Sequence, residues 1–584
     1  MNFTPEQRAI IHSSGNIKIN AVAGSGKTST LLGYAEERRN SGPILYIAFN
    51  KSVKIEAERK FAALELSNVK VETAHSLAYS YIVKGTPYKV RHNGGYKTHE
   101  IVEILGLKGF KQPHTEFILA NHINRYVTLF CNSDKPKVQD LNYEEILTDE
   151  RARKFAQNFR EPILQQTRFF LDKMNKAEIE LIHDFYLKKF QQSLPRLPYE
   201  FILFDEAQDA SDAMLDVVVR QNGTKVIVGD THQQIYGWRF AVNSLEKVAY
   251  PVFQLTRSFR FGQEIAALAC RILQWKSHLG IHSEPQIHGL GTTTTVRQRA
   301  VLARTNVGLL SKAVELLIER KVVSKIYFEG HIESYTYADE GASVYDVLNL
   351  YLGRRDLIKD KMIASMKQFS DLEDYVDKTE DAALRLLVEI VKKYHRNLPR
   401  YIRQIKEAHV ENDEKEKAGM IFSTVHRCKG MEYDEVTLVN DFITEDKILK
   451  LVKEIDFEKT GKDKLAEEIN LLYVAVTRTR NVLNIPEELM PKSKINVIKK
   501  VDPAEDRYLM PVGFYRSQPV SKLTENLRKH ALSWKTEDDD ELTVMYCEGK
   551  TISAMARKFG RTPGSITARI NKLELPELYG PNPG

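Results

Sequence analysis

The run IKINAVAGSGKTST, residues 17–30, restricts the fold of this chain more than any other segment. Ile17 to Val22 is a short β-branched stretch with the look of a buried strand. It passes directly into a glycine turn and then into the helix-forming stretch LLGYAEERR. Strand, turn and a helix opening at Lys27–Thr28 make a phosphate cradle, because loop N–H groups and the helix N-terminus converge on one point. Gly24 and Gly26 would turn the backbone toward phosphate oxygens, with Ala23, Ser25 and Ser29 completing the loop. Lys27 would set its ammonium on the β- and γ-phosphates, and the Thr28 hydroxyl would ligate Mg²⁺. The strict pattern G-x-x-x-x-G-K-[ST] is broken at its first position, where Ala21 stands.

Phe201 to Phe204 is a wholly apolar strand ending in Asp205-Glu206-Ala207-Gln208-Asp209. Two adjacent carboxylates at the end of a buried strand are costly to desolvate unless they hold a cation or a proton. Beside a phosphate loop, the economical assignment gives Asp205 to Mg²⁺ and Glu206 to activation of the attacking water. An acidic helix cap would account for Asp209 but not for the pair. A third strand, KVIVGD, ends at Asp230 and leads into THQQIYGWRF. Three strand ends carrying polar groups fit the ligand-binding edge of a parallel α/β sheet.

Length and composition set outer bounds. The 584 residues allow roughly four folding units. Hydrophobic residues at 42% and charged residues at 28% fit a globular chain. No stretch nears the ~20 apolar residues of a membrane span, so no membrane partner is expected. The segment MNFTPEQRAI lacks the basic-then-apolar run of a secretory signal. The expected location is cytoplasmic, nucleoid-associated in a bacterium, with a nucleus as the alternative. Cys131, Cys270, Cys428 and Cys547 stand more than a hundred residues apart and form no local zinc or iron–sulfur signature. The net charge of +7, from 85 basic and 78 acidic residues, permits a polyanionic partner without requiring one.

AGSGKT, DEAQD and GDTHQQIYGWR, in this order, resemble superfamily 1 helicases of the UvrD/Rep type. Further blocks agree. TPEQ (4–7) is similar to the adenine-reading Q motif, AFNK (48–51) and TAHS (73–76) to motifs Ia and Ib, and LTRSFR (255–260) to motif IV. STVHRCKGMEYDEV (423–436) resembles motif V and LLYVAVTRTR (471–480) motif VI. AFNK and TAHS resemble, more narrowly, the F-box DNA helicase branch, although no F-box is evident.

The resemblance implies roles residue by residue. Gln7 would read the adenine edge, Phe259 would stack on adenine, and Arg260 would reach the γ-phosphate. Arg478 would be a second γ-phosphate arginine from the other motor domain, making hydrolysis depend on closure of the cleft. Gln233 would sense the γ-phosphate, and Glu432 would contact the nucleotide sugar. Phe49, Tyr236 and Trp238 stand where family members stack bases, with Asn50, His75 and Arg239 as backbone contacts. Stacking on aromatic faces grips a single strand without reading its sequence. Tyr46 and Phe201, inside apolar runs, read as core. Cys428 reads as the small residue that motif V places before its lysine.

The fold implied is α/β: two RecA-like P-loop motor domains with mostly helical insertions and a small all-α tail. The first motor domain is expected at 1–85 and 196–265, with a helical insertion at 86–195. The second is expected at 266–330 and 416–500, with a short insertion at 331–415. In the first insertion FILANHINRYVTLF and IELIHDFYLKKFQQSL carry helical apolar spacing. Residues 501–533 read as a linker, 534–573 as a helix-turn-helix-like module, and 574–584 as a tail. Between Lys550 and Lys572 lie six basic residues and no acidic one. Arg557, Lys558, Arg561 and Arg569 of this set are expected to contact DNA phosphates. A protein partner is the alternative for this module.

The resemblance therefore implies an ATP- and Mg²⁺-dependent DNA helicase translocating 3′→5′ on single-stranded DNA and unwinding at single/double-strand junctions, in DNA repair or recombination. Two alternatives share the machinery. One is a translocase that displaces recombinase or other bound proteins without net unwinding; the other is an ATP-gated DNA-binding regulator. RNA as the track is not distinguished, because stacking does not test for the 2′-hydroxyl.

Overall fold

The computed structural model describes residues 2–92, 94–109, 114–237, 240–291, 295–330, 335, 342–454, 459–492, 542, 545–546 and 550–573. Six strands, β1 (Ile17–Ala21), β2 (Ile44–Ala48), β3 (Val69–Thr73), β4 (Phe201–Phe204), β5 (Thr224–Gly229) and β6 (Val252–Leu255), form a sheet of order β3-β2-β4-β5-β1-β6. Every pairing in it is parallel. Parallel strands need cover on both faces, so they read as continuous apolar runs rather than alternating ones. One face holds Ile19, Tyr46, Leu203 and Val226; the other holds Leu45, Ile47, Ile202 and Phe204. Because β4, β5 and β1 are adjacent, the chain following each of them emerges at one edge.

A two-strand pair, β7 (Arg257–Ser258) with β8 (His288–Gly289), follows the first sheet. The second sheet comprises β9 (Arg299–Ala303), β10 (Ile326–Phe328), β11 (Met420–Thr424), β12 (Tyr433–Leu438) and β13 (Thr479–Asn484), in the order β10-β11-β9-β12-β13. It too is parallel. Helix Gln263–Gln274 and the buried end of helix Lys459–Val476 cover one of its faces.

Residues 86–195 and 342–402 are distant in sequence, yet their apolar side chains make one continuous core against the first sheet. Polar clasps reinforce it. Arg125 donates to the Thr379 carbonyl at 2.7 Å and pairs with Glu380 at 3.1 Å. Glu380 in turn accepts the Thr148 N–H at 2.6 Å. Sequence periodicity treats the two insertions as separate units; the structure merges them.

The stretch IELIHDFYLKKFQQSL is helical only over His183–Gln192. Leu181 is drawn into a bridge with Val90, its N–H donating to Lys89 at 2.7 Å, which holds residues before Ile182 extended. Near the C-terminus, helix Ile552–Phe559 starts on a Thr551 cap and stops at Gly560, whose φ is +61°. Helix Pro563–Lys572 follows, and the two share a core with Leu542 and Tyr546. The rest of the 534–573 module before residue 550 and all of the linker 501–533 lie outside the described residues. Among the described residues no helix is long and apolar enough to cross a membrane.

Candidate nucleotide and nucleic-acid site

The glycine loop joins β1 to helix Lys27–Glu37, and Gly24 and Gly26 have φ of +73° and +78°. A Cβ on Gly24 would lie 2.6 Å from Arg260 Cβ, so only bare backbone fits between the loop and the Ser258–Arg260 segment. Ala21, the departure from the strict pattern, is the buried last residue of β1. An ordinary strand residue suffices there, and glycine is not needed.

Lys27 is ion-paired to Glu206 at 2.7 Å. Burial works against its ammonium, but Glu206, Asp205 and Asp230 together hold its pKa above the ordinary lysine value. Glu206 takes a left-handed φ of +51° directly after Asp205, which turns its carboxylate toward the loop. Asp205 accepts the Tyr46 hydroxyl at 2.5 Å and the Glu206 N–H at 2.9 Å. Burial and the Glu206 charge push Asp205 up, whereas Lys27 and Lys429 hold Glu206 down against its own burial. Tyr46 is core as the sequence suggests, but its hydroxyl also holds the first carboxylate.

From β5, Asp230 accepts from the Gln233 amide at 2.7 Å and from the Tyr473 hydroxyl at 2.9 Å. Gln233 Oε1 receives Arg478 Nη2 at 3.3 Å. Arg478 is 1% exposed and also donates to the Val474 and Met431 carbonyls. Arg260 bonds Glu432 at 2.6 Å and the Thr477 carbonyl at 3.0 Å. Burial, then the nearby Arg478 charge, brings Arg260 down to about 10. Two crowded guanidiniums over a glycine loop suit an incoming polyanion.

Gln7 and Phe259 flank Gly26 from opposite chain segments, with the Gln7 amide nitrogen 3.0 Å and the Phe259 ring 3.9 Å from a Cβ built there. Gln7 Oε1 is committed to the Thr4 N–H in a capping box, so its amide N–H₂ is the end turned to the loop. The Phe259 side is 49% exposed, an open flat face beside an amide. The donor set of Lys27, Thr28 and the Asp205–Glu206 pair, with this face, fits a nucleoside triphosphate and a divalent cation.

Several expected contacts are used differently. Glu432 has its carboxylate shared between Arg260 and Arg480 rather than open toward a sugar. Asn50 caps helix Lys51–Ala63 by accepting the Val53 N–H at 2.9 Å. His75 faces Asp184 of the first insertion at 3.4 Å. Arg569 is buried and pairs with Glu407 at 2.9 Å instead of facing solvent, while Arg557 and Lys558 are exposed and Arg561 half-buried. Phe49 and Tyr236 stack on each other, centroids 5.8 Å apart and planes at 21°. Trp238 and Arg239 lie outside the described residues.

Sequence reasoning missed Lys429. It reaches from the turn after β11 to Asp209, which follows β4, and donates to the Gln233 carbonyl at 2.5 Å. Burial pushes Asp209 up to about 6 even against that ammonium. The signal available was Asp209 itself, a carboxylate next to a buried strand and in need of a cation. Cys428, immediately before it, has its thiol pushed up to about 12 by burial, which makes it inert.

Glu467, on helix Lys459–Val476, accepts the Gly237 N–H at 3.0 Å. Burial, despite that N–H and with the Glu468 charge adding to it, pushes its carboxyl up to about 7. A carboxyl held neutral by the fold contributes stability that is complete below its ordinary 4.5 and is lost as the pH rises through about 7. Wild-type melting temperature should therefore fall relative to Glu467→Gln across that window. Parallel melting curves for the two proteins from acid to neutral pH would contradict this.

Residues 3–249 match the family described as UvrD/REP helicase N-terminal domain. The chain is 28% identical over 529 residues to F-box DNA helicase 1 of Gallus gallus, covering 84% of this chain and 49% of that protein. It is 27% identical over 523 residues to F-box DNA helicase protein 1 of Schizosaccharomyces pombe, covering 82% and 57%. DNA helicase IV of Escherichia coli is 25% identical over 323 residues, 46% of each chain. The chain thus spans about half the length of these curated relatives.

Proposed function

We propose, from the similarity of the chain to UvrD/REP helicases and to the F-box DNA helicases, that it is an ATP- and Mg²⁺-dependent motor that translocates 3′→5′ on single-stranded DNA and separates duplex at junctions. The observation that carries this reading is the Gln233 amide, which touches Asp230 at the edge of the first sheet and Arg478 from the second. One side chain thereby links the end of β5 to an arginine carried by the second sheet.

In this reading Lys27 and the loop N–H groups bind the β- and γ-phosphates, Thr28 and Asp205 hold the cation, and Gln7 with Phe259 grips the adenine. Bound ATP·Mg²⁺ supplies the phosphoanhydride whose cleavage drives the cycle. Glu206 orients a water and accepts its proton at the carboxylate. Arg260 and Arg478 stabilise charge on the transferring phosphoryl group when the sheets close on each other. Phe49 and Tyr236 then grip successive bases, and Trp238 is assigned to the same track.

The test is ATP turnover measured with single-stranded DNA, duplex DNA and RNA as activators, beside unwinding of duplexes carrying a 3′ or a 5′ single-stranded tail. Strong activation by single-stranded DNA and unwinding from the 3′ tail are expected. Turnover indifferent to every nucleic acid would remove the motor reading, and unwinding from the 5′ tail alone would reverse the polarity.

A further inference from the structure

Away from the nucleotide, the second insertion carries a groove of about 640 Å³ lined by Tyr351, Lys393, Tyr394, His395, Arg396 and Tyr401. Among the described residues, no carboxylate lines it. It sits where helix Ala382–Tyr394 turns into helix Leu398–Ala408. Residues 390–406 include Lys392, Lys393, Arg396, Arg400, Arg403 and Lys406 and no Asp or Glu. Of the acidic groups nearby, Glu373 is engaged by Lys392, and Glu389 stands one turn before Lys393.

The groove is built rather than incidental. Lys393 and Tyr394 both donate to the Ser311 hydroxyl, at 2.7 and 2.9 Å, which fastens the wall to helix Asn306–Val314. Tyr394 and Tyr401 meet edge to face with centroids 5.6 Å apart. His395 is held at φ +47°, ψ −132°, a backbone region that belongs almost wholly to glycine. That conformation brings its ring to 5.4 Å from Tyr351, which is 36% exposed. Strain of this kind persists where the surroundings enforce it, and it clusters at binding sites.

We infer that this groove is a second nucleic-acid contact, taking a segment of single strand with its phosphates on Lys393 and Arg396 and its bases against Tyr351 and His395. Flat aromatic faces interleaved with cations match a strand of bases and phosphates. An acidic peptide would match the charge but leave the rings unused. The basic run continues past the groove. Glu407, the acidic residue that ends it, is neutralised by Arg569 of helix Pro563–Lys572 at 2.9 Å. The inference rests on the reading of the chain as a DNA motor and adds a site outside the motor cleft.

The test uses the full chain with oligo-dT of about 10 and about 40 nucleotides, the shorter filling about one site. Lys393→Glu/Arg396→Glu and, separately, Tyr351→Ala are compared with wild type by ATP turnover and by fluorescence anisotropy. With the long strand, half-saturation should rise about tenfold and its salt dependence become shallower. With the short strand, activation of turnover should be unchanged. Unaltered affinity for the long strand overturns the inference, as does equal loss with both lengths. Competition by polyglutamate as effective as by oligo-dT also overturns it, in favour of an acidic protein segment. If wild-type turnover ignores DNA altogether, the motor reading falls, and the anisotropy comparison still decides the groove.

Discussion

Lys27→Ala should lower ATP turnover by about 10²–10³-fold while leaving affinity for single-stranded DNA within a few-fold of wild type. The ammonium is the cation nearest the paired carboxylates, bonded to Glu206 at 2.7 Å. Without it, Glu206, Asp205 and Asp230 lose the cation that they share and oppose an incoming triphosphate. Phe49 and Tyr236, the proposed base contacts, stack on each other without that lysine, so strand binding should survive. Steady-state turnover and anisotropy on one preparation check both halves. Normal turnover would detach Lys27 from the phosphates, and equal loss of strand affinity would mean that the loop fold had been disturbed.

Lys429→Met should cost ~3–5 kcal/mol of stability. Its partner Asp209 has a fully buried side chain, and Lys429 itself is 9% exposed. Truncation therefore leaves a carboxylate in the interior with no cation, and the Gln233 carbonyl loses a donor as well. Adding Asp209→Asn should recover much of the loss, because the double variant strands neither charge. Denaturant midpoints of wild type, both single variants and the double variant make that comparison. Lys429 joins an element of the second sheet to the strand end that carries the Asp205–Glu206 pair, so the variant should also show weaker activation of turnover by DNA if the proposed motor couples the two sheets. A single variant as stable as wild type would show that the ion pair does not hold the two sheets together.

Motifs made of contiguous residues were legible. The phosphate loop needs a strand, two residues able to take positive φ and a helix N-terminus, all within one short run, and each requirement is visible residue by residue. The carboxylate pair was legible for a similar reason: a wholly apolar strand ending in Asp-Glu is costly unless something cationic lies opposite. Helix Ile552–Phe559 could be bounded from Thr551 and Gly560, since caps are local chemistry. The fate of individual charges was less legible. Glu432, Asn50 and Arg569 each have two reasonable uses, one toward a ligand and one toward the protein, and sequence spacing does not choose between them. Arg569 looks like one more phosphate contact in a basic run, until Glu407, 162 positions earlier, is found beside it.

By itself the sequence determined the parallel α/β character, the strand–glycine turn–helix unit at residues 17–37 and the chemical identity of the groups around it. Those follow from short-range backbone geometry and the cost of burying polar groups. The tertiary structure decided which distant segments share a neighbourhood. It laid β5 between β1 and β4, so that Asp205 and Asp230 come near Lys27, and it brought Lys429 to Asp209 and Arg478 to Gln233 across the two sheets. It also merged the two insertions into one core and assembled the strained aromatic groove at His395. These pairings join residues up to 255 positions apart, and a contact of that range is set by the packing of whole elements rather than by the residues that make it.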